Sequence, residues 1–351
     1  MLFRQSARNA LLVAASALMT LAPPLDSLAR SRPQPVAEEP LPPPPPAGLS
    51  DRFLADAAAY QAYVERVSSI SPAMASGANV ADGVRAAAGY GPRSLTRDAV
   101  AYGAVAALGA ATFVASVRAA ATSPDNRKII VQYLLSNPNY ATSFAGADQA
   151  AGLAKAALTA SGNRLVESGK LIKAAAYTVQ HQAWSKDMVV DQAGRLAAVE
   201  AAGSGELMAA PDHVEALRSA AGAAPPLPVT AGAEPAPYGP TVLRALQLAA
   251  IAALGEATDD LYDTLRTSMQ DGDAEACLRM VRLNLNQCLA VAKPHYEDMF
   301  CTGQHAMTDT GACLVKSASY QVAPPPPPPG PPPPVVKPKA KPTSHKRHHR
   351  G

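Results

Sequence analysis

Four cysteines, Cys277, Cys288, Cys301 and Cys313, are the residues whose spacing points most directly to a defined chemistry. Cys277 and Cys288 lie eleven steps apart in a helical pattern that also carries Leu278, Val281, Leu285 and Leu289. Eleven steps of about 100° return the second sulfur almost to the azimuth of the first, three turns further along. Pro294 then forces a turning or extended backbone, and Cys301 and Cys313 follow on the returning segment. The four positions are nearly symmetric about Pro294, so an antiparallel return sets Cys288 opposite Cys301 and Cys277 opposite Cys313. Oxidation then yields two nested disulfides, each contributing about 2–4 kcal/mol and less than additively because one loop encloses the other. Gly303 and Gly311 are expected to interrupt the returning helix and disturb the outer pair. Zinc would need a close ligand pair of the C-x2-C kind, and neither the cysteines nor His295 and His305 supply one. No metal and no cofactor is therefore assigned.

Other candidate groups are weaker. Asp271, Asp273 and Glu275 open like a calcium loop, but Ala276 replaces the glycine of the sharp turn and Arg282 the closing acid. A helix boundary accounts for them better. His181 and Trp184 share a helix end where the only tryptophan serves as an anchor. Tyr296, Glu297, Asp298, His305 and Asp309 gather among the cysteines and are candidates to line a cleft. No metalloprotease, nucleophile-elbow or phosphate-loop pattern occurs, so no catalytic residue is assigned.

The two ends carry different signals. Arg4 and Arg8, an uncharged run over residues 10–22 and small residues around Ala29 read as a secretory signal peptide, residues 1–29. The apolar run is short for a bilayer span, and no cysteine near the cut offers a lipid anchor. At the other end Lys337, Lys339, Lys341, Lys346, Arg347 and Arg350 stand without an acid, alongside His345, His348 and His349. The chain's net charge of +3 thus divides into +1 on the leader, +6 on residues 337–351 and −4 on the body between them. A mildly acidic body with a basic extension is not a folded nucleic-acid-binding domain. The tail is a candidate for anionic surfaces.

Composition decides which elements position these groups. Hydrophobic residues make up 48% of the chain but aromatic ones only 5%, and alanine supplies much of the rest, which favours helices packed closely through small residues. The expected fold is all-α: an Ala-rich helical bundle over residues 50–222 and a disulfide-stapled module over 241–320. Proline-rich segments at 30–49, 223–240 and 321–351 flank and separate them.

Within the bundle, Ser50 is expected to cap a first helix. Ser123 and Pro124 open another that buries Ile129, Ile130, Tyr133 and Leu134. Leu158, Leu165, Ile172 and Val179 recur every seven residues beside Gly162 and Gly169, which is a packing seam. The uncharged stretch 99–117 has the length of a membrane span but few strong apolar residues, and a single central buried helix is the better reading. A further apolar stripe runs from Leu243 through Leu254 to Leu265.

The whole reads as an exported, non-enzymatic envelope protein, secreted or periplasmic. Its basic tail contacts anionic envelope material, and its Ala/Gly-rich helices offer faces for self-association. A periplasmic enzyme or enzyme accessory with scattered site residues, and a self-assembling helical protein, are the alternatives. Peptide mapping without reduction is expected to recover Cys288 joined to Cys301 and Cys277 to Cys313; Cys277 joined to Cys288 would exclude nesting.

Overall fold

The computed structural model describes residues 45–222 and 226–319. The expectations placed on the leader, on residues 30–44 of the first proline-rich segment and on residues 320–351 lie outside the described residues.

The described chain is helical, with no strands among its residues. Helix α1 spans Asp51–Ser68, and α2 spans Gly77–Ala88 behind Ser76, whose hydroxyl accepts from the Asn79 N–H at 3.2 Å. Ser50 holds the N-cap position of α1 but its hydroxyl caps nothing. Its backbone N–H is drawn instead to the Ala257 carbonyl at 2.9 Å, beside a bridge from Leu49 to the same residue.

The stretch 99–117, expected as one helix, is two. Helix α3, Pro92–Ala107, and α4, Ala111–Ala120, meet at 91°. Gly109 and Ala110 donate to carbonyls three residues back, the tightened bonding that closes a helix end. Helix α3 is buried on nearly all sides, whereas α4 buries only Phe113 and Val117. No single helix among the described residues is long and apolar enough to cross a membrane; α3 and α4 meet that criterion only as a bent pair.

Helix α5, Pro124–Ser136, begins as its residues dictate, with Ser123 accepting from the Asn126 N–H at 3.1 Å. Its buried side is Ile130, Val131 and Leu134, while Ile129 and Tyr133, expected inside, are 53% and 57% exposed. The helix lies against its neighbour α10, Pro240–Ala253, and the short 3-10 turn Pro138–Ser143, and that contact selects a face rotated by one residue.

Helix α6, Ala147–Val179, buries Leu158, Leu165, Ile172 and Val179 as one seam. Three short helices follow: α7 Ala183–Lys186, α8 Gln192–Ala202 and α9 Pro211–Ala221. After α10 comes α11, Asp259–Ser268. The stripe expected to run unbroken from Leu243 to Leu265 is divided at Gly255, whose φ of +75° a side chain rarely adopts. The last elements are α12 Gly272–Val291, α13 His295–Cys301, a π-helical segment Thr302–Asp309 and α14 Thr310–Ser317.

Helices on the two sides of residues 223–240 share one hydrophobic core. Helix α10 lies against α3 and α6, and a methyl at Gly103 would come within 3.1 Å of the Ala245 methyl. Small residues bring backbones together here, as the alanine content foretells.

The closest approach is between α6 and the returning helix. A Cβ on Gly162 would lie 2.7 Å from the Gly311 carbonyl oxygen, and one on Gly169 would lie 2.7 Å from that of Gly303. The contacts are reciprocal: a Cβ on Gly303 would meet the Lys173 backbone nitrogen at 2.6 Å. The α-helical bonding of the returning helix gives way beside Gly303, in the π segment Thr302–Asp309, but the helix runs on. Gly303 and Gly311 are the points at which α6 touches it backbone to backbone.

Both disulfides close on the other side of that helix, Cys277–Cys313 with Cα atoms 5.8 Å apart and Cys288–Cys301 with 5.7 Å. Cys301 and Cys313 are twelve steps apart against eleven for Cys277 and Cys288. In an uninterrupted α-helix twelve steps of about 100° would leave Cys313 roughly 120° away from Cys301. The wider turn of the π segment takes up the surplus residue and returns Cys313 to the face of Cys301. The same surplus matches Gly303 and Gly311, eight apart, to Gly169 and Gly162, seven apart.

Gly169→Ala is expected to cost about 1–3 kcal/mol through overpacking, although alanine is the better helix former by about 1 kcal/mol. Gly272→Ala, where a methyl meets nothing within 4 Å, is expected to be neutral or slightly stabilising. Urea unfolding of both variants checks the pair, and equal stability of the two would contradict the contact.

Candidate functional site

Where α6 ends against the α12–α13 turn, the structure leaves an apolar groove of about 430 Å³. Tyr177 comes from the last turns of α6, Val291 from the end of α12, and Tyr296, Glu297 and Phe300 from α13, with the Cys288–Cys301 bond in the wall. Tyr177 and Phe300 meet edge to face at 5.9 Å, and Lys173 Nζ stands 5.2 Å from the Phe300 ring centre. Val291 is 75% exposed and Tyr177 56%, so aromatic and aliphatic surface faces solvent at the rim. Polar atoms are few. Glu297 accepts from the Lys293 backbone N–H at 2.9 Å and, more loosely, from the Tyr296 hydroxyl at 3.4 Å.

A buried ion pair holds the turn beneath the groove. Arg195 Nη1 of α8 donates to both oxygens of Asp298 at 2.6 Å, and its Nη2 reaches the carbonyls of Leu289 and Ala292 at the end of α12. Burial raises the Asp298 carboxyl above its ordinary range, and Arg195 acts against that rise. The pair fixes the angle between α12 and α13, and with it the position of Phe300. The inner disulfide and this pair make the groove a preformed surface, suited to apolar, aromatic or prolyl groups.

The residues expected to line one cleft are divided among three places. Tyr296 and Glu297 line the groove, and Asp298 is buried on Arg195. His305 and Asp309 pair with each other across the π segment, Nδ1 to Oδ2 at 2.8 Å. Trp184 packs partly buried on the core and donates its indole N–H to Gln182 at 2.5 Å, while His181 is exposed beside it. Asp271 is a helix cap, its Oδ1 accepting from the N–H groups of Asp273 and Ala274 and its Oδ2 from the Thr241 hydroxyl at 2.8 Å. All four cysteines are in disulfides, and no group of three or more potential ligands stands together among the described residues. The six tail cations lie outside the described residues.

A second polar cluster gave no sign in the sequence, because its members are scattered along the chain. Arg97 Nε stands 2.9 Å from Asp98 Oδ1 and 3.4 Å from Asp56 Oδ2, and its Nη2 reaches Glu206 at 2.7 Å. Glu206 also takes Arg266 at 2.7 Å, and Tyr262 donates its hydroxyl to Asp56 at 2.8 Å. Burial raises the carboxyls of both Asp56 and Asp98, and Arg97 only partly counters it. Two inward carboxylates around one guanidinium thus favour retention of a proton. Asp98, at 1% exposure, has no access to a substrate, so the cluster is a tie between α1, α3, α11 and the Glu206 segment.

The sign of its pH dependence follows. An acid whose folded-state pKa is raised binds its proton more strongly in the folded chain, so its contribution to stability is present below the ordinary value and is lost as pH rises through the raised one. The stability of the native chain minus that of Asp98→Asn is therefore expected to fall as pH rises from about 4. Urea midpoints across a pH series measure it, and a flat or rising difference would contradict burial as the dominant cause.

No protein-family model, curated protein or solved structure matches the chain, so the functional reading rests on its own geometry and chemistry.

Proposed function

We propose that the protein is an exported, non-enzymatic binding protein of the bacterial envelope, a helical body held to anionic envelope material by its basic tail. The observation that carries this reading is the separation of charge: six cations and no acid in residues 337–351, against a body of net −4. The two disulfides support the compartment, since such bonds persist where the surroundings are oxidising. The preformed groove, lined by aromatic and aliphatic side chains, supports a binding role.

A cationic segment near an anionic surface gains about 1 kcal/mol per Lys or Arg at low salt and loses that gain within a Debye length as salt rises. Deleting residues 337–351 is expected to lower retention on isolated anionic envelope material at least tenfold at low salt. The full chain is expected to be released by salt. Retention that survives the deletion and ignores salt would overturn the reading.

A further inference from the structure

We propose that the groove beside the Cys288–Cys301 bond is the docking site for the chain's own prolines at 331–334, the second half of its proline-rich run. The groove's chemistry is that of a polyproline receptor: Tyr177, Tyr296 and Phe300 offer ring surface for prolyl rings. Gln180 also lines the groove and carries an amide that can donate to the carbonyls a polyproline helix leaves free. Such a ligand is already ordered before it binds, so docking forfeits little conformational entropy.

Reach and register agree with this occupant. Ser319 follows Phe300 by nineteen residues of nearly unbroken helix, which places it no more than about 30 Å from the groove. At about 3.1 Å per residue, residues 320–329 span that distance, so residues 331–334 arrive over the groove. A polyproline helix repeats every three residues, which puts Pro331, Pro334 and Lys337 along one edge. Two prolyl rings then face the aromatic wall while the first cation of the tail meets Glu297, the one charged residue lining the groove. This docking is independent of what residues 337–351 bind.

The full chain carrying the photo-reactive residue p-benzoylphenylalanine in place of Val291 tests it. An equal mixture of nitrogen-15-labelled and unlabelled chains is irradiated, digested and mapped by mass spectrometry. Cross-links from position 291 to residues 331–337 are expected, within one isotope label. Their yield is expected to fall at least fivefold when Pro331, Pro332, Pro333 and Pro334 are all replaced by glycine. Cross-links that mix labels would assign the groove to a second copy and overturn the proposal. So would an absence of cross-links to the run, or a yield unchanged by the glycine replacements. None of these results alters salt-dependent retention of the tail, so the two readings fail separately.

Discussion

The backbone contact between α6 and the returning helix is the constraint on which the rest of the structure depends. At Gly162–Gly311 and Gly169–Gly303 no side chain separates the two helices, and a single methyl at any of the four positions would collide with backbone. Contact this close tolerates no slip in register, because the neighbouring residues carry side chains. The opposite side of the returning helix is joined covalently to α12 at two levels. One helix must therefore satisfy two demands at once, glycine contacts on one face and sulfur bonds on the other.

A regular α-helix cannot meet both with these spacings, and the π segment resolves the conflict. Its irregular turns leave carbonyls for hydroxyls to satisfy: Thr302 donates to the Asp298 carbonyl at 2.7 Å and Thr308 to that of Gly303 at 2.8 Å. Thr310 shares a buried hydrogen bond with Tyr90 at 3.0 Å. Threonine, usually a neutral or poor helix former, is present three times where the ladder of backbone bonds is displaced. The groove is a consequence of the same arrangement. Locking α12 and α13 around Cys288–Cys301 and Arg195–Asp298 leaves the aromatic ends of α6 and α13 facing one another with nothing between them among the described residues.

Small-residue faces pack within the chain, on α6 against the return and on α3 against α10. The buried charges have a similar logic. Arg97 and Arg195 each sit at a crossing of several elements, where one guanidinium takes carboxylates or carbonyls from separate parts of the chain. A buried pair of this kind adds little net stability but penalises every alternative that leaves one partner uncovered.

Much of the local structure was legible in the residues. Ser123 and Asp271 cap helices, Pro124 marks the first turn of α5, and the mirror placement of the cysteines about Pro294 anticipates the nested bonds. These are decided within a few residues, by side chains reaching neighbouring amides or by a backbone that lacks one. Only the tertiary structure decided that residues 99–117 and 243–265 each break into two helices, that α5 buries Val131 and not Tyr133, and that the returning helix widens into a π turn. It alone brought Tyr177 to Phe300 and Asp56 to Arg97. The reason is physical: an alanine-rich helix presents almost equivalent faces, so its orientation and its breaks are set by the partner it meets, and that partner is distant in the sequence.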